Sequence, residues 1–372
     1  MAESVLWDYF DHTAAKHRVL RAYLDAWIPV MGQQELKVAG VRGISPRLLL
    51  VDGFAGPGRY KRGEPGSPLI MLEALAKHKD RDKIADVQFT YLFIEYNSKR
   101  VEYLRKELRE FDIPPNAQVE VRKGKFEQTF RDFVQNANLG EQFPPTFAFI
   151  DPFGYSNAPL SRVGWFFDFQ RTEALIFLPL TDIARFVGKA DQGKTLTELF
   201  DSDRWQQAKA LDLPERKACL LSLFEEQLLR HGHVKYVRSF QLLTSRRKRD
   251  YRLVFATGHP RGFELMKEAM WSVDPEQGTR YLGSTITGQQ VLFQRKPDTG
   301  PLLRTLREHF GERWFTIEEA ESVTAKSDYL VKRHLKTLTL KPAEDRGELD
   351  VQRREGGRRG TFPAGVRMRF TR

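Results

Sequence analysis

A short apolar run that ends in an acid and passes directly into a glycine-rich turn constrains this chain more than any other feature. Residues 47–52 read Arg-Leu-Leu-Leu-Val-Asp, and residues 53–58 read Gly-Phe-Ala-Gly-Pro-Gly. So short and continuous an apolar run is typical of a strand buried on both faces of a parallel sheet. Glycines after such a strand permit positive φ angles and remove side chains between the turn and a ligand. The pattern therefore predicts an α/β domain with a ligand site at the end of its first strand.

The same alternation continues along the chain. Strand-like runs follow at residues 87–95, 118–122, 146–151 and 174–180, with helical patterns between them at 99–111 and 126–136. Two more runs, 234–243 and 251–257, are joined by so short a link that they must pair antiparallel. We therefore predict a doubly wound, mostly parallel sheet with an antiparallel β-hairpin. This is the strand inventory of the Rossmann-like class I methyltransferase fold.

The segments around this core have different patterns. Residues 12–28 carry apolar side chains at helical spacing, so we expect an amphipathic helix there and a polar loop near 32–46. Residues 181–232 predict a helical insertion. Helical patterns at 302–310, 317–323 and 326–338 precede a strand-and-turn segment rich in Gly and Arg, which is typical of a winged helix. We predict a methyltransferase-like domain over 1–298 and a basic winged-helix-like domain over 299–372.

Composition excludes several classes of protein. The chain has 372 residues, a formal charge of +11 and a single cysteine, Cys219. An excess of basic residues favours a polyanionic partner such as nucleic acid, or serves solubility. No apolar run reaches 18 residues and the N-terminus is acidic and polar, so we expect a cytoplasmic protein without a membrane partner. One cysteine forms no internal disulfide and no thiolate cage, so we predict packing for Cys219 and no metal site.

Asp52 favours a ligand that carries a positive charge. A pyrophosphate would be repelled by this carboxylate, and glycines at positions 53, 56 and 58 match neither a phosphate-binding P-loop nor a dinucleotide fingerprint. That spacing also disfavours NAD-dependent redox chemistry. S-adenosylmethionine carries a sulfonium and an amino-acid end, which suit this turn. The candidate cofactor residues here are Asp52, Gly53, Phe54, Ala55, Gly56 and Gly58. The alternative is a tight turn in which Asp52 only caps backbone amides.

The next two strands supply further candidates for the cofactor. Glu95 ends the second strand, where an acid can accept both ribose hydroxyls of a nucleoside. We add Tyr96 beside it, and Lys125 and Phe126 after the third strand as residues that flank the adenine. The alternative for Glu95 is ordinary solvation of a strand end. Ser67 is either a helix N-cap or part of a substrate gate.

The fourth strand ends in the turn Asp151-Pro152-Phe153-Gly154, which we predict to be catalytic. The carboxyl ends of parallel strands meet at one edge of a sheet, so Asp52, Glu95 and Asp151 should converge. Asp151 can hold an exocyclic amine and offset the charge that develops on nitrogen. The alternative is a turn without chemistry. Methylation of a base carbon through a covalent thiolate is disfavoured, because Cys219 is remote in sequence from these strand ends.

Two segments hold most of the excess positive charge and predict contacts with nucleic acid. Basic side chains there can neutralise phosphates, and a helix can enter a groove. The candidates are Arg246, Arg247, Lys248 and Arg249 in the hairpin link, Lys332, Arg333 and Lys336 on the third C-terminal helix, and Arg353, Arg354, Arg358 and Arg359 in the last segment. The alternatives are a solvated charged face, or a winged helix that binds protein.

Several motifs resemble known families. Residues 52–58 resemble the first motif of S-adenosylmethionine-dependent methyltransferases, and 151–155 resembles the fourth motif of their amine-methylating members. The chain is also similar to the three-Cys-motif partner family. That similarity is carried by Lys16-His17, 52–58, Gly66-Ser67-Pro68, Phe93-Ile94-Glu95, 151–154, Arg185-Phe186, Met266-Lys267 and Met270-Trp271.

The resemblance implies a bacterial methyltransferase-like protein that works with a separate three-Cys-motif, iron–sulfur protein. We therefore expect an S-adenosylmethionine-dependent N-methyltransferase that acts on an exocyclic amine of a base in DNA or RNA. The alternative is a non-catalytic, methyltransferase-shaped subunit that binds nucleic acid or cofactor for that partner.

Overall fold

The computed structural model describes residues 5–136, 143–152, 154–244, 249–282, 297–354 and 356–371. These residues form two compact units. The first unit runs to Met266 and includes Tyr281 and Leu282. The second comprises Lys267–Arg280 and the described residues from 297 onward.

An eight-stranded sheet is the core of the first unit. Its strands are β1 (Arg47–Asp52), β2 (Gln88–Glu95), β3 (Ala117–Lys123), β4 (Thr146–Ile150), β5 (Thr172–Leu178), β6 (Tyr236–Leu243), β7 (Asp250–Thr257) and β8 (Arg280–Leu282). Their order is β3-β2-β1-β4-β5-β7-β6-β8. Strands β1 to β5 are parallel, and β7 runs antiparallel to both β5 and β6. The predicted Rossmann-like class I methyltransferase architecture is therefore confirmed.

The central position of β1 explains its composition. Strand β1 pairs with β2 on one side and with β4 on the other, so that Val51 lies beside both Leu92 and Ala148. Residues 48–51 are almost completely buried. A strand covered on both faces has no solvent side, which is why its apolar residues run without alternation. The carboxyl ends of β1, β2 and β4 consequently lie next to one another.

Eight α-helices of the first unit connect these strands, with short 3-10 turns between some of them. They are α1 (Asp11–Arg42), α2 (Ser67–Ala76), α3 (Ser98–Arg109), α4 (Phe126–Asn136), α5 (Leu160–Val163), α6 (Leu180–Phe186), α7 (Gly193–Phe200) and α8 (Leu213–Leu228). A ninth helix, α9 (Pro260–Val273), begins in the first unit and ends in the second. The predicted helical insertion corresponds to α6, α7 and α8, and Cys219 packs on α8 against the core.

The first helix is longer than its sequence predicts. We expected a polar loop near 32–46, but α1 continues through Pro29 to Arg42. Gly32 lies against Ile84, where a Cβ would come within 2.8 Å of a side-chain carbon. Packing on this face offsets the proline in the helix interior, which on its own disfavours helix. The helix ends at Gly43, whose φ of 65° forms a left-handed cap.

Buried polar contacts hold α1 on the sheet. The carboxylate of Glu173 on β5 accepts bonds from the Tyr23 hydroxyl and, at 2.6 Å, from the Trp27 indole N–H. Nearer the end of α1, Glu35 pairs with Arg171, the residue before β5. Because Glu173 is fully buried and bonded, it serves the fold rather than the chemistry.

The second unit combines helices with a small antiparallel sheet. After the second half of α9 it contains α10 (Gly300–Phe310), β9 (Phe315–Thr316), α11 (Ile317–Ala325), a π-helix (Val331–Leu340), α12 (Lys341–Asp345), β10 (Leu349–Gln352) and β11 (Arg367–Phe370). The sheet order is β10-β11-β9. A capping box between Thr316 and Glu319 starts α11. The third helix begins at Val331, five residues later than its predicted start, because Leu330 is extended.

Across the described ranges, every helix is too short or too polar to span a lipid bilayer.

Candidate functional site

The candidate site lies at the carboxyl ends of β1, β2 and β4, where three acids meet. Asp52 is the last residue of β1, Glu95 is the last residue of β2, and Asp151 follows β4. Backbone bonds join these ends, since the Gly53 N–H donates to the Phe149 carbonyl at 2.9 Å and the Ala55 N–H donates to the Ile94 carbonyl at 2.9 Å. The convergence expected from the sequence is therefore seen in the structure.

Asp52 is completely buried, and one of its oxygens has no partner. Oδ1 accepts the Phe54 N–H at 3.1 Å, and the Ser67 hydroxyl lies near this carboxyl group. Oδ2 is buried and has no hydrogen-bond partner among the described residues. Burial raises the pKa of Asp52 to about 7 against these hydrogen bonds. A buried oxygen without a partner is costly, so a cationic or hydrogen-bonding ligand at Oδ2 would be stabilised.

Ser67 has a different role from the predicted N-cap. The N-cap of α2 is Gly66, and Ser67 and Pro68 stand in the first turn of the helix. The Ser67 hydroxyl lies near the Asp52 carboxyl group instead and favours its charged form. The Gly66 N–H donates to the Gly58 carbonyl at 2.7 Å, which brings the start of α2 against the glycine turn. The motif Gly66-Ser67-Pro68 therefore supports the carboxylate of Asp52.

Glu95 organises the turn from the neighbouring strand. Its Oε2 accepts the Gly56 N–H at 3.0 Å, and its Oε1 accepts the Asn97 N–H at 2.7 Å. The side chain is 5% exposed. Each carboxylate oxygen has more than one lone pair, so both can still accept a bond from a ligand hydroxyl.

The glycines of the turn make room for side chains of the protein itself. A Cβ on Gly53 would lie 2.8 Å from the Phe126 ring, and one on Gly56 would lie 2.8 Å from the Trp7 ring. A Cβ on Gly58 would lie 2.9 Å from a methyl group of Leu104. Gly56 and Gly58 have φ angles of 63° and 86°, which other residues rarely adopt. The faces that we expected to meet a nucleoside are thus partly covered by aromatic and aliphatic groups.

A small cavity opens between this turn and Asp151. Its lining includes Trp7, Phe54, Gly58, Tyr60, Ser67 and Asp151. The Tyr60 ring stacks edge-on against Tyr9, with 4.9 Å between ring centroids, and burial raises the pKa of the Tyr60 hydroxyl. The cavity has a volume of about 30 Å³, which is room for a water-sized group, and Asp151 is the acid in its lining.

Asp151 is paired with a buried lysine. Lys16, on α1, bonds to Oδ2 of Asp151, and its ammonium also lies 4.7 Å from the centroid of the Phe177 ring. The side chains of Lys16 and Asp151 are 7% and 21% exposed. Of the predicted catalytic turn, Phe153 lies outside the described residues, while Gly154 has a φ of 90° that permits the bend after Pro152. Lys16 thus holds the Asp151 carboxylate through Oδ2.

The residues predicted to flank the adenine are less well placed to contact a cofactor than the acids at the strand ends. Phe126 is buried, and its ring lies 6.2 Å from that of Phe54, centroid to centroid. It therefore packs beneath the turn. Tyr96 is 67% exposed, and Lys125 is also exposed. Neither side chain makes a contact that fixes it for a ligand within the described structure.

The predicted basic residues fall into three groups. Arg246, Arg247 and Lys248 lie outside the described residues, as does the side chain of Lys332. Arg353, Arg359 and Lys336 are engaged within their own unit: Arg353 forms two bonds of 2.6 Å with Glu344, Arg359 donates to the Glu344 carbonyl at 3.0 Å, and Lys336 pairs with Glu321 at 2.6 Å. Arg333, Arg354 and Arg358 are exposed, and the Arg249 guanidinium donates to the Tyr251 hydroxyl at 3.3 Å.

Several residues near the site had no predicted role. Lys16 entered the analysis only through a motif, although a lysine among apolar positions of an amphipathic helix is a signal of a buried partner. Trp7, His12 and Tyr60 were not singled out at all. Aromatic residues concentrated before α1 are a composition signal that could have indicated a contact surface.

A larger groove lies at the opposite edge of the sheet, where the strands begin. Arg47 and His233 are part of its lining, and the Glu35–Arg171 pair lies within it. Catalytic sites of open α/β sheets lie at the carboxyl edge instead. We therefore place the functional site at Asp52, Glu95 and Asp151 despite the greater size of this groove.

The chain matches no protein-family model and no curated protein. Among solved structures it is similar to TomG, an O-methyltransferase of Streptomyces achromogenes in complex with S-adenosylmethionine, at 13% identity over 68% of this chain and 92% of TomG, with a TM-score of 0.30. The S-adenosylhomocysteine-bound methyltransferase PaMTH1 of Podospora anserina is 14% identical over 61% of this chain and 76% of that one, with a TM-score of 0.26.

A methyltransferase candidate from Porphyromonas gingivalis W83 is 11% identical over 60% of this chain, with a TM-score of 0.27, and the match spans only 41% of that protein. Likenesses at these identities and TM-scores carry no argument about activity.

Proposed function

We propose that the protein is an S-adenosylmethionine-dependent methyltransferase. The observation that carries this proposal is the buried, unpartnered Oδ2 of Asp52 at the end of β1, beside the glycine turn. A carboxylate oxygen in that position fits the ammonium of a methionine-like ligand, because a charge-assisted bond would satisfy both groups. Glu95 on the adjacent strand fits the ribose hydroxyls.

The residues of this chain would bind and align the reactants. S-adenosylmethionine supplies an activated methyl group: the acceptor nitrogen uses its lone pair to form the new N–C bond, the C–S bond breaks with its electrons kept on sulfur, and the acceptor proton leaves to solvent. Asp151, held by Lys16, would accept an N–H bond from the acceptor amine and fix its direction. Alignment alone can supply about 7–11 kcal/mol of a barrier.

An exocyclic amine of a base in DNA or RNA is the acceptor that we propose. The Asp151-Pro152 turn presents a carboxylate and backbone carbonyls, all of which accept hydrogen bonds from an amino group. The net charge of +11 favours a polyanion as the molecule that carries this amine. The ion pair with Lys16 compensates the charge of Asp151, which leaves this carboxylate as a hydrogen-bond acceptor rather than a free anion in the crevice.

The second unit is proposed to be a winged helix that contacts nucleic acid. In support, α10, β9 and α11 are followed by the π-helix, which continues into α12, and then by β10 and β11, and the segment between β10 and β11 forms an arginine-rich loop. Arg354 and Arg358 in this loop are exposed and can reach phosphates. Arg353 would instead support the loop from within.

A separate iron–sulfur protein with a three-Cys motif is proposed as the partner, on the basis of the motifs quoted above. Residues 185–186, 266–267 and 270–271 belong to those motifs and do not line the candidate site. Arg185 and Phe186 are at least partly exposed and could contact a partner, whereas Met266, Lys267, Met270 and Trp271 are buried.

A second candidate function is that of a non-catalytic subunit that binds nucleic acid or cofactor for this partner. The contact of Trp7 with Gly56 favours it, because the ring covers part of the turn. The two functions differ in what Asp151 does. In the second, Asp151→Ala changes no product, whereas Arg354→Glu with Arg358→Glu disrupts the complex.

Calorimetry with the full chain tests the first proposal. The protein should bind S-adenosylmethionine but neither NAD nor ATP, and Asp52→Asn should weaken this binding. Mass spectrometry of nucleosides from cells with and without the protein should then reveal one methylated base, which Asp151→Ala abolishes while cofactor binding persists. Absence of S-adenosylmethionine binding by the wild-type protein would overturn the proposal.

A further inference from the structure

A stack of aromatic side chains lies on the far side of Asp151 from the glycine turn. Phe177 stands near the carboxyl end of β5, next to β4, and its ring centroid is 5.2 Å from that of Tyr251 on β7. The His12 ring lies 5.0 Å from Tyr251, and the Phe10 ring lies 5.7 Å from His12 at an interplanar angle of 9°. We call Phe10, His12, Tyr251 and Phe177 the acceptor stack.

The acceptor stack is continuous with the Lys16–Asp151 pair. The Lys16 ammonium that bonds to Asp151 also lies over the Phe177 ring at 4.7 Å. The charges of Lys16 and Asp151 also act on His12. One end of the stack therefore reaches the candidate catalytic carboxylate.

The other end of the stack is open to solvent. Phe10 is 58% exposed, whereas Tyr251 is only 9% exposed. Burial, with a smaller effect of Lys16, lowers the pKa of His12 to about 4, so its ring is neutral at pH 7. Neutral rings whose outer pair, Phe10 and His12, is parallel and ends in an exposed phenyl group form a surface on which another flat ring can stack.

A cation stands beside the stack. Arg249 donates to the Tyr251 hydroxyl at 3.3 Å, and Asp182 is the carboxylate that acts on its charge. Arg249 is also the last residue of the basic link between β6 and β7. A guanidinium next to an aromatic surface matches the backbone phosphate of a nucleotide whose base is stacked.

We propose that the acceptor stack and Arg249 bind one unpaired base of a nucleic-acid strand, with its ring against Phe10 and His12 and its phosphate near Arg249. Both faces of a base within a duplex are covered by its neighbours, so only an unpaired or extruded base can stack here. Presentation of its amino group to Asp151 rests on the proposed methyl transfer, whereas binding of the base does not require the methyl donor.

Crosslinking of the wild-type protein tests this inference without any variant. A short single-stranded oligonucleotide that carries a photoreactive pyrimidine is irradiated with the full chain, and the crosslinked peptides are identified by mass spectrometry. We expect crosslinks in the peptides that contain Phe10, His12 or Tyr251, and far fewer with the matching duplex. Crosslinks confined to the second unit, or equal crosslinking of duplex at these peptides, would overturn the proposal.

Substitutions provide the quantitative test. Phe10→Ala and His12→Ala should each weaken binding of the single strand by roughly 5-fold to 100-fold, the range found when one stacking ring is removed. Phe10→Trp keeps an aromatic ring at this position and should bind the single strand as the wild-type protein does. Leu229→Ala, which removes another exposed apolar side chain, should leave binding unchanged. Wild-type affinity in Phe10→Ala and His12→Ala would contradict the proposal.

The same proteins separate this inference from the proposed function. If the wild-type protein binds the single strand through these residues but does not bind S-adenosylmethionine, the methyltransferase proposal fails and the acceptor stack stands. If it binds S-adenosylmethionine and methylates a base, but substitutions in the acceptor stack do not change binding of the single strand, the acceptor-stack proposal fails and the methyltransferase proposal stands.

Discussion

Lys16 and Asp151 form an ion pair that joins α1 to the carboxyl end of β4, with the ammonium almost fully buried and the carboxylate at the rim of the crevice. The two residues are 135 positions apart in the chain. Removal of one partner leaves the other charge without compensation in a poorly solvated place, which costs more than the loss of a surface pair.

We therefore expect Asp151→Ala to lower the free energy of unfolding by about 3 kcal/mol, the lower end for a broken buried pair because this carboxylate is partly exposed. The double variant Lys16→Met with Asp151→Leu should recover much of that loss. Urea denaturation measures both. Asp80→Ala, which breaks the exposed Lys83–Asp80 pair, is the control and should have a much smaller effect. Equal losses in the single and double variants would contradict this account.

The raised pKa of Asp52 predicts a pH-dependent stability. With a pKa of about 7 in the folded protein against an ordinary value of 3.8, the folded state holds a proton that the unfolded state has released between these pH values. The contribution of Asp52 to the free energy of unfolding is therefore fully present below pH 4 and is lost as the pH rises to 7. Denaturation of wild-type protein and Asp52→Asn from pH 4 to 8 isolates this contribution as their difference. A difference that stays constant with pH would refute the assignment.

The same carboxyl group should control binding of a cationic ligand. If S-adenosylmethionine binds the ionised form of Asp52, about one tenth of the protein is competent at pH 6 and most of it at pH 8, so affinity should fall about 10-fold at the lower pH. Calorimetry in buffers of different ionisation enthalpy would also detect proton release on binding. Asp52→Asn should bind weakly and lose most of this pH dependence, while an equal pH dependence in Asp52→Asn would exclude Asp52 as its source.

Gly63, which lies beyond the turn, and two glycines of the turn allow a comparison of backbone strain with steric conflict. Gly63→Ala introduces a side chain at a φ of 89° with nothing within 4 Å, so it should cost about 1–2 kcal/mol from the backbone alone. Gly56→Ala and Gly58→Ala should cost more, because their Cβ atoms meet Trp7 and Leu104. Chemical denaturation measures the free energy of unfolding of the three variants. Similar losses in all three would mean that Trp7 and Leu104 move aside without a measurable cost.

Two arginines of the C-terminal segment should behave in opposite ways. Arg353, 13% exposed and bonded twice to Glu344, should destabilise the second unit by about 3 kcal/mol or more when changed to Ala. Arg358→Ala should leave stability unchanged, because this side chain is exposed. Thermal denaturation distinguishes the two variants.

For correctly folded proteins, Arg358→Ala should weaken nucleic-acid binding more than Arg353→Ala does. If Arg358 contacts a phosphate, Arg358→Ala should reduce the slope of affinity against salt concentration by about one. Titration of a labelled oligonucleotide at several salt concentrations measures this slope. An unchanged slope would favour the interpretation of this segment as a solvated or protein-binding face.

The sheet could be predicted because its central strands β1 and β4 contain unbroken apolar runs and the other strands follow at regular spacing. The five parallel strands lie within two residues of their predicted positions, and the acids at their ends meet as expected. The extension of α1 could not be predicted in this way. Pro29 and Gly32 signal a break locally, and only the packing of Gly32 on Ile84 reveals why the helix continues.

Contacts between residues far apart in the chain limited how much of the site could be predicted from the sequence. The partner of Lys16 depends on how α1 crosses the sheet, which no local pattern encodes. Likewise, Ser67 satisfies the local rule for an N-cap, yet the N-cap is Gly66, whose N–H donates to the Gly58 carbonyl, and the Ser67 hydroxyl lies near Asp52. The glycine turn was recognised correctly, but the side chains that cover it come from the first ten residues and from α3 and α4.

Helix α1 touches β4 and β5 through polar contacts along its whole length, with Lys16 at the carboxyl edge, Tyr23 and Trp27 on Glu173, and Glu35 on Arg171 at the amino edge. A slide of one helical turn, about 5.4 Å, would break all of them together. Helix α1 is thus fixed to the sheet at three separate places along its length. A movement of Asp151 that displaces Lys16 along the helix axis would therefore also displace Glu35 from Arg171 at the amino edge of the sheet.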